Sequence, residues 1–493
     1  MSTQDKFINR KITRKKFLKT AGKLGLATFT LGIFNYQPKI AWADEEDLSK
    51  VVPIASNNPS IVWIKSECEY CEKCVKVCKD KQTVLGYYDN SDGKIICVNC
   101  GQCAMVCPEK AIIERDHTAR VWQALNDSNI HVVVQTAPAT RVSLGELFDM
   151  DEGTNVEGKQ VTALRQLGFD GVFDTPCTAD LTIMEEATEL VKRLKKEITA
   201  PLPQFTSCSP GWVSFCEYFY HNFIPNLSTA KSPQQMMGTL VKTYYAQKKG
   251  LDPAKIFTVA IMPCTAKKYE CQRPEMNDSG IEAGNSSIRD LDAVLTTREL
   301  AKMIKDKKID FKNLKNSSYD TLLGESTGAG VIFGSSGGVM EAAVRTAYYL
   351  LTNQDPPSTL LTWTAVRGLN GVKEASVDIP GFGKLDVAVC QGLGNGRKAL
   401  DQIKAGTKKW HYVEFMGCRG GCVGGGGQPK DGDDGTSDET LKKRSDSLYK
   451  IDSNKPKRLS YKNEEVKKLY QDFLGSPMSA KAKKLLHTEY TAR

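Results

Sequence analysis

The stretch Tyr412-Val413-Glu414-Phe415-Met416-Gly417-Cys418-Arg419-Gly420-Gly421-Cys422 joins a mostly apolar run to a turn rich in glycine and cysteine. The apolar run is typical of a buried strand because it is short and carries a single charged residue. Thiolates hold iron–sulfur clusters, and adjacent glycines let the backbone approach a bulky group closely. The stretch therefore predicts a buried strand that ends at a metal cluster, with Cys418 and Cys422 as ligands.

Other segments of the chain have the same strand character, namely Ile130–Gln135, Phe257–Met262 and Leu385–Cys390. Between them lie amphipathic stretches with helical spacing, such as Leu181–Lys196 and Arg298–Lys305. Ser232 and Pro233 predict the start of another helix, with Gln235 completing a capping box. Alternation of buried strands with helices favours an α/β core with parallel-rich sheets, which we place over residues 119–429.

Eight of the 16 cysteines fall in two runs with one spacing, Cys68-x-x-Cys71-x-x-Cys74-x-x-x-Cys78 and Cys97-x-x-Cys100-x-x-Cys103-x-x-x-Cys107-Pro108. This is the bacterial ferredoxin spacing, in which the fourth cysteine of each run crosses to the other cluster. Residues 61–118 are therefore predicted to form a ferredoxin-like α+β domain with two [4Fe-4S] clusters. One cluster is assigned to Cys68, Cys71, Cys74 and Cys107, and the other to Cys97, Cys100, Cys103 and Cys78. The alternative is a pair of zinc ribbons, which the doubled spacing and the following proline disfavour.

The first 43 residues are predicted to be an export signal. They hold nine Lys/Arg against one acid, Asp5, and so carry +8 of the formal +9 charge. The remainder is nearly neutral, which gives no support to a nucleic-acid partner. Thr13–Lys19 resembles a twin-arginine signal with Lys15 in place of the second arginine; an ordinary secretory signal is the alternative. The apolar stretch Leu24–Phe34 is short for a membrane span, and residues 44–60 are predicted to be a linker.

Three segments that follow the two cysteine runs in order resemble the signature segments of the [FeFe]-hydrogenases. They are Phe205-Thr206-Ser207-Cys208-Ser209-Pro210-Gly211-Trp212, Met262-Pro263-Cys264-Thr265-Ala266-Lys267-Lys268-Tyr269-Glu270, and Glu414-Phe415-Met416-Gly417-Cys418-Arg419-Gly420-Gly421-Cys422 with its extension to Pro429. The resemblance covers residues 61–493. It implies a two-lobed α/β catalytic core and an enzyme that interconverts H2 with protons and electrons.

The resemblance also implies an H-cluster, which is a [4Fe-4S] cube bridged to a [2Fe] unit with CO, cyanide and a dithiolate bridge. Cys264, Cys418 and Cys422 are implied as thiolate ligands of the cube, and Cys422 also as the bridge to the [2Fe] unit. Lys267 is implied as a buried cation that faces the cyanide ligands and offsets their charge.

Proton transfer needs a chain of ionisable or hydroxyl groups within hydrogen-bond reach of one another. The resemblance implies Cys208 as the terminal proton donor, Glu186 and Glu189 as relay acids, and Ser228 as a relay hydroxyl. Glu186 and Glu189 lie three residues apart and so share a helix face. Their spacing alone is typical of solvated surface acids, and only the surrounding motifs favour a relay.

Ser209 departs from the family pattern, in which a cysteine before the proline is the fourth ligand of the cube. Serine is a poorer iron ligand because its hydroxyl proton is harder to remove. Two hypotheses follow: Ser209 or a solvent species completes the cube, or Cys208 rotates in as the fourth thiolate and leaves the proton path. Four further cysteines match no role and are interpreted as buried small apolar residues: Cys177, Cys216, Cys271 and Cys390.

Residues 430–493 resemble the small subunit of two-chain periplasmic hydrogenases, here fused to the large part, with one helix predicted around Glu464–Leu474. Expected partners are H2 and protons, a redox carrier such as a ferredoxin or a c-type cytochrome, and maturation proteins. No transmembrane span is expected in the mature chain, and H2 uptake is the expected direction if the protein is exported to the periplasm. The alternatives are a hydrogen sensor and a non-catalytic iron–sulfur relative.

Overall fold

The computed structural model describes residues 48–493. The predicted export signal and the first residues of the predicted linker lie outside this range. The strands are β1 Ile61–Trp63, β2 Ile112–Glu114, β3 His131–Thr136, β4 Gly171–Asp174, β5 Gln204–Phe205, β6 Ile256–Met262, β7 Ala293–Thr296, β8 Val372–Ile379, β9 Gly383–Gln391 and β10 Tyr412–Met416. Two four-stranded sheets form the core, in the orders β4-β3-β6-β7 and β5-β10-β9-β8, and a two-stranded sheet pairs β1 with β2.

Helices cover the core sheets and fill the C-terminal tail. They are α1 Lys73–Lys76, α2 Gln102–Met105, α3 Thr118–Leu125, α4 Glu157–Leu167, α5 Thr175–Leu194, α6 Pro210–Phe219, α7 Pro233–Leu240, α8 Ala246–Lys249, α9 Ala266–Glu270, α10 Asp278–Glu282, α11 Thr297–Asp306, α12 Gly328–Val331, α13 Gly338–Thr352, α14 Ser358–Leu361, α15 Leu393–Lys404, α16 Asp438–Asn454, α17 Glu464–Leu469 and α18 Ala480–Leu486. Within residues 48–493, no helix is both long enough and apolar enough to cross a membrane.

The predicted α/β architecture with parallel-rich sheets is confirmed. All pairings in the sheet of β4, β3, β6 and β7 are parallel, as are those of β10 with β5 and β9; within these two core sheets only β8 runs antiparallel to its neighbour, and the separate pair of β1 and β2 is antiparallel. In a parallel sheet the carboxyl ends of the strands lie at one edge, where sites of α/β proteins form. The segments after β5, β6 and β10 carry Cys208, Cys264 and Cys418, so the topology brings the three signature segments to such edges.

The start of a helix stabilises Glu414, the one charged residue of strand β10. The carboxylate is fully buried and accepts hydrogen bonds from the backbone N–H groups of Gly337 (2.6 Å) and Met340 (2.8 Å) at the start of α13. Those N–H groups have no partner inside the helix, and the positive end of the helix dipole favours an anion there. Glu414 therefore fixes α13 against β10 while the apolar neighbours of this strand fill the core.

The structure corrects two local expectations. Ser232 does precede α7, but its hydroxyl donates to Glu270 Oε2 (2.9 Å) and makes no capping hydrogen bond, so the predicted capping box is wrong. The physical reason is that Glu270 is a buried carboxylate, which competes for this donor. The predicted linker is also packed in part, because Val51 and Val52 are buried in an apolar cluster with cysteines of the first run.

The tail holds more structure than the one helix expected. Besides α17, which continues as a turn of π-helix over Tyr470–Leu474, it forms α16 and α18. The tail is polar in composition but supplies buried apolar residues to the core, among them Leu448, Leu469 and Leu485. It therefore folds by packing on the core, although its sequence looks too polar to fold alone.

Arg444 on α16 ties the tail to the cysteine loop. Its buried guanidinium donates to both carboxylate oxygens of Glu146 (2.7 and 2.5 Å) and to the carbonyl oxygens of Val423 (2.8 Å) and Pro429 (3.0 Å). Val423 follows Cys422 directly, so this one cation positions the loop that carries a predicted ligand.

We expect Arg444→Met to destabilise the protein by about 3–5 kcal/mol, because it leaves the Glu146 carboxylate and two carbonyl groups without their buried donor. The midpoint of thermal unfolding measures the effect. Lys442→Ala, on the same helix but with an exposed ion pair to Asp446, is the control and should leave the midpoint nearly unchanged. Equal midpoints for the two variants would contradict this role of Arg444.

Candidate functional site

One cavity is lined by residues that follow the ends of four strands. It is lined by Ala137 and Pro138 after β3, Cys208 and Ser209 after β5, Pro263 and Cys264 after β6, and Gly417 and Cys418 after β10. Lys267, Cys422, Met262 and Met416 complete much of its wall. The structure thus brings together in one cavity all the predicted ligands of the cube, Ser209 included, with the predicted proton donor and the predicted cation.

The surroundings of the three candidate ligands disfavour the ionised form of their thiols. Burial raises the pKa of the Cys264 and Cys418 thiols, and it raises that of Cys422 to about 12. The charge of Cys264 raises the pKa of both other thiols further, which places the three sulfurs close together. A bound iron–sulfur cluster would reverse this preference, since metal ligation holds cysteines as thiolates.

The donor set suits an iron–sulfur group, since three thiols line one cavity, and two further features accompany it. Backbone lies very close to the loop glycines: an added Cβ would come 2.2 Å from the Pro263 carbonyl oxygen at Gly425 and 2.6 Å from the Ser336 nitrogen at Gly421. Only glycine allows this approach, and Gly421 also has a positive φ of 82°. The Oε1 atom of Gln234 is buried at the cavity with no hydrogen-bond partner among residues 48–493, which leaves it available to a ligand.

Lys267 is held in place by hydrogen bonds on two sides. Its Nζ donates to the Cys208 carbonyl oxygen (3.0 Å) and to both carboxylate oxygens of Glu270 (3.1 and 3.0 Å). Glu270 in turn accepts from Ser232 (2.9 Å) and from the side-chain amide of Gln234 (3.0 Å). The cation predicted from the motif is therefore paired, and its partner Glu270 was not identified from the sequence although it ends the same segment.

Cys208 and Ser209 point to different neighbours. The Ser209 hydroxyl oxygen accepts a hydrogen bond from the Gly417 N–H (3.2 Å), beside Cys418. Burial raises the pKa of the Cys208 thiol well above its usual value, and the Glu186 carboxylate adds the next largest contribution. Cys208 is thus on the side of the predicted relay acids, whereas Ser209 is on the side of the predicted ligand Cys418.

Each predicted four-cysteine set lines its own cavity. One, of about 330 Å³, is lined by Cys68, Cys71, Cys74 and Cys107; the other, of about 410 Å³, is lined by Cys78, Cys97, Cys100 and Cys103. The fourth cysteine of each run thus lies with the first three of the other run. No group of three or more His, Cys, Asp or Glu side chains in residues 48–493 converges as ligands of a single metal ion would.

The second of these cysteine sets adjoins the central cavity. Gln102, between Cys100 and Cys103, donates from its side-chain amide to the Cys418 sulfur (3.3 Å) and to the Gly424 carbonyl oxygen (3.1 Å). Burial raises the pKa of Cys100 well above its usual value, with contributions from the charges of Cys103 and Cys418. One side chain therefore bridges the two cysteine sets, a close spacing that suits electron transfer between them.

Glu186 is fully buried on α5, unlike the solvated acid that its spacing alone suggests. Its Oε1 accepts a hydrogen bond from the Tyr412 hydroxyl (2.6 Å), and its Oε2 has no partner in the described part of the chain. Burial raises the pKa of this carboxyl to about 8, and the Glu189 and Glu414 charges add to the rise while Tyr412 opposes it. At neutral pH Glu186 is therefore mostly a neutral acid that can give up a proton.

Glu189 is also buried but has a different environment. Its Oε1 pairs with the Arg193 guanidinium (2.5 Å), and its Oε2 accepts from the Ser228 hydroxyl (2.9 Å) and the Thr229 N–H (3.0 Å). Ser228 and Glu189, which were predicted separately as relay groups, thus share a hydrogen bond. Arg193 and Tyr412 were missed from the sequence; the spacing of Arg193, four residues after Glu189, was an available signal for an ion pair.

The four unmatched cysteines, Cys177, Cys216, Cys271 and Cys390, are all buried, as expected. None of them lines the three cavities described above. Burial raises the pKa of each thiol, which keeps these cysteines protonated and unreactive.

Comparison with known proteins gives consistent matches. Residues 130–426 match the family described as iron only hydrogenase large subunit, C-terminal domain, and residues 438–493 match iron hydrogenase small subunit. The chain is 45% identical over 452 residues to iron hydrogenase 1 of Clostridium pasteurianum, covering 89% of this chain and 77% of that protein. It is 45% identical over 365 residues to the periplasmic [Fe] hydrogenase large subunit of Nitratidesulfovibrio vulgaris, covering 68% and 84%. The structure resembles a variant of the apo [FeFe]-hydrogenase HydA1 from Chlamydomonas reinhardtii, with a TM-score of 0.66, 40% identity, and coverage of 77% of this chain and 99% of that one.

The buried carboxyl of Glu186 gives a direct spectroscopic prediction. Because its pKa is raised to about 8, we expect the C=O stretching band of a protonated carboxyl at pH 7 and its loss as the pH rises through about 8. Infrared titration measures the band, which should be absent in Glu186→Gln. The control Glu439→Gln removes an exposed carboxyl and should leave the band unchanged. A band equally strong in Glu186→Gln would mean that the assignment is wrong.

Proposed function

The chain belongs to the iron-only hydrogenase family, and we infer that it catalyses H2 ⇌ 2H⁺ + 2e⁻ at the cavity that holds Cys264, Cys418 and Cys422. The observation that carries this conclusion is the single cavity in which these three thiols lie with Cys208 and Lys267. When bound there, the family's H-cluster supplies the iron at which the electrons of H2 are exchanged. We propose the three cysteines as ligands of its cube and Lys267 as the cation beside it.

We propose that electrons pass through two [4Fe-4S] clusters in a ferredoxin-like domain over residues 61–118. The two four-cysteine cavities support this proposal, as does Gln102, which links the second set to Cys418. Cys71 is the exposed cysteine of the first set, so the outer cluster would exchange electrons with a ferredoxin or a cytochrome there. Cys71→Ala should slow exchange with such carriers; unchanged rates would contradict the route.

The protein's own residues supply the proton chemistry. Burial keeps the Cys208 thiol protonated, so its sulfur holds a proton beside the cavity. Glu186, with a pKa of about 8, can hold and release a proton near neutral pH, and we propose that it exchanges this proton with Cys208. We propose that Ser228 and Glu189 continue the path, since the Ser228 hydroxyl donates to Glu189. Hydrophobic residues around the path, such as Phe333 and Met416, exclude bulk water from this end.

We also propose that the protein is exported to the periplasm by a twin-arginine-like signal and works mainly in H2 uptake. Supporting observations are the basic leader and the similarity to the relative from Nitratidesulfovibrio vulgaris, which is named as a periplasmic large subunit. The segment that matches the small subunit would then be the fused counterpart of a second chain. Cell fractionation after Arg14→Gln and Lys15→Gln tests this: the variant should stay in the cytoplasm, and normal export would contradict the proposal.

Hydrogen turnover by the anaerobically matured protein tests the function itself. We expect H2 consumption and formation with a redox dye, together with infrared bands of iron-bound CO and cyanide. Glu186→Gln should lower turnover by roughly 10²–10⁴-fold, the loss expected for a positioned acid–base group, and leave the bands unchanged. Bands without appreciable turnover would favour a sensor, and the absence of both bands and turnover would favour a non-catalytic relative.

For the fourth ligand of the cube, we propose that Ser209 or a solvent species serves and that Cys208 remains the proton donor. Ser209 lies beside Gly417 and Cys418, and Cys208 lies toward Glu186. We expect Cys208→Ala to keep the cube but lose turnover, and Ser209→Cys to bind the cube more firmly. Iron quantitation and electron paramagnetic resonance measure the cube, with Cys216→Ala as the control for loss of a buried thiol. Loss of the cube in Cys208→Ala alone would favour the rotated cysteine.

A further inference from the structure

A chain of hydrogen bonds leads from Glu189 into the C-terminal tail. Thr229 Oγ1 lies 3.3 Å from Glu189 Oε2 and 2.7 Å from Nδ1 of His487. The other ring nitrogen of His487, Nε2, lies 3.0 Å from Oε2 of Glu185. Glu185 also accepts a hydrogen bond from the Tyr470 hydroxyl. This chain uses residues of α5, of the segment before α7 and of the tail, and none of its members except Glu189 belongs to the path described above.

Backbone hydrogen bonds hold the two ends of this chain in register. The Thr488 N–H donates to the Thr229 carbonyl oxygen (2.8 Å), and the Lys231 N–H donates to the Leu486 carbonyl oxygen (2.8 Å). The His487 ring is therefore fixed opposite the Thr229 hydroxyl by its own neighbours. Hydrogen bonds of the backbone on both sides of His487 therefore restrain the position of its side chain.

Arg193 occupies the other side of Glu189. Its Nε and Nη2 donate to Glu189, its Nη2 also donates to the Leu227 carbonyl oxygen, and its Nη1 donates to the carbonyl oxygens of Pro201, Pro225 and Asn226. Every N–H of the guanidinium is thus engaged, and arginine does not release a proton in proteins. The Arg193 side of Glu189 is therefore a poor outlet for protons.

We propose that Thr229 and His487 form a branch of the proton relay that connects Glu189 with the tail. The proposal rests on the proposed function, since it needs protons to be turned over at the cavity. Imidazole suits the role because one ring nitrogen can accept a proton while the other releases one. The branch lies near the edge of the core: Thr229 is partly exposed, the side chain of His487 is 7% exposed, and Glu185 and Glu189 are buried.

Outward transfer along the branch begins at a protonated Glu189. Protonated Glu189 gives its proton to the Thr229 oxygen, and the hydroxyl passes its own proton to Nδ1 of His487. The ring then releases its Nε2 proton to the Glu185 carboxylate. One proton moves from Glu189 to Glu185, only O–H and N–H bonds break and form, and no electron is transferred. The inward direction is the reverse.

The ring has a definite charged environment. Glu185 faces Nε2, Glu189 lies beyond Thr229 with Arg193 at its side, and the Tyr470 hydroxyl reaches the same carboxylate as the ring. Two carboxyl groups of one helix therefore flank a single imidazole, Glu185 directly and Glu189 through the Thr229 hydroxyl.

Matched variants of Thr229 separate a relay from a structural contact. Thr229→Val keeps the shape but removes the hydroxyl, and Thr229→Ser keeps the hydroxyl. We expect Thr229→Val and His487→Gln to lower turnover by roughly 10²-fold at saturating dye and to increase the solvent isotope effect. Thr229→Ser and the exposed control His221→Gln should behave like the parent. Added imidazole should restore part of the activity of His487→Ala, which a merely structural role would not predict.

A second readout is independent of turnover. In the ¹⁵N-histidine-labelled full chain, Thr229→Val should shift the Nδ1 resonance of His487 and Thr229→Ser should not. Parent-like turnover in both Thr229→Val and His487→Gln, or an unshifted Nδ1 resonance, would overturn the branch while the hydrogenase activity stands. A parent that shows no H2 turnover in either direction would overturn the proposed function, and the branch with it.

Discussion

The thiols of Cys264, Cys418 and Cys422 lie in one buried cavity, where the charge of Cys264 raises the pKa of both neighbours. Three cysteines keep such positions only if folding fixes them and a bound cationic group compensates their charge when they ionise. Here the fixing is done by strand ends: β6 delivers Cys264 and β10 delivers Cys418, from two different sheets. The core therefore holds three sulfur atoms at one site, although their ionised forms repel one another.

Other charged side chains are buried around that cavity, each with an oppositely charged or hydrogen-bonding partner. Lys267 is paired with Glu270, and Glu414 is paired with the start of α13. Farther out, the buried Arg345 joins Glu341 of α13 to Asp452 of α16. Breaking one such pair leaves an uncompensated buried charge, which costs far more than the intact pair contributes to stability. The tail is bound to the core through these groups, so its many charged residues are compatible with a fixed position.

The sequence predicted the parts of the fold that local patterns control. Tyr412–Met416 forms a strand with the predicted bounds, because a short apolar run has few other ways to be buried. The cysteine spacing likewise predicted which eight residues lie together, since the connection within each run is short. Contacts between distant segments were harder to predict. Ser232 looked like a helix cap, but Glu270, 38 residues away, takes its hydroxyl.

Polar residues whose partners lie in the tail were the least predictable. Nothing in the local sequence of Glu185 or Thr229 indicates that His487 lies beside both, because that contact spans more than 250 residues. The helix in the tail was predicted around Glu464–Leu474 from its spacing, whereas α16 and α18 gain their stability from packing and were missed. Composition alone does not show that the charges of a segment are complementary to those of a surface formed by other parts of the chain.

Glu186 and Glu189 show how one helix can prepare two acids for different parts of proton transfer. Within the described part of the chain, Glu186 has one side-chain hydrogen bond and a buried, unpaired oxygen, and its pKa rises to about 8. Glu189, one turn on, is paired with Arg193 and accepts hydrogen bonds from Ser228 and Thr229, so its negative charge is compensated on every side. The first environment favours a neutral acid, whereas the second surrounds the carboxyl group with an arginine and two hydrogen-bond donors. Two acids one turn apart therefore differ only through their fixed surroundings: Glu186 can hold a proton beside the cavity, while Glu189 is connected to the hydroxyl groups of Ser228 and Thr229.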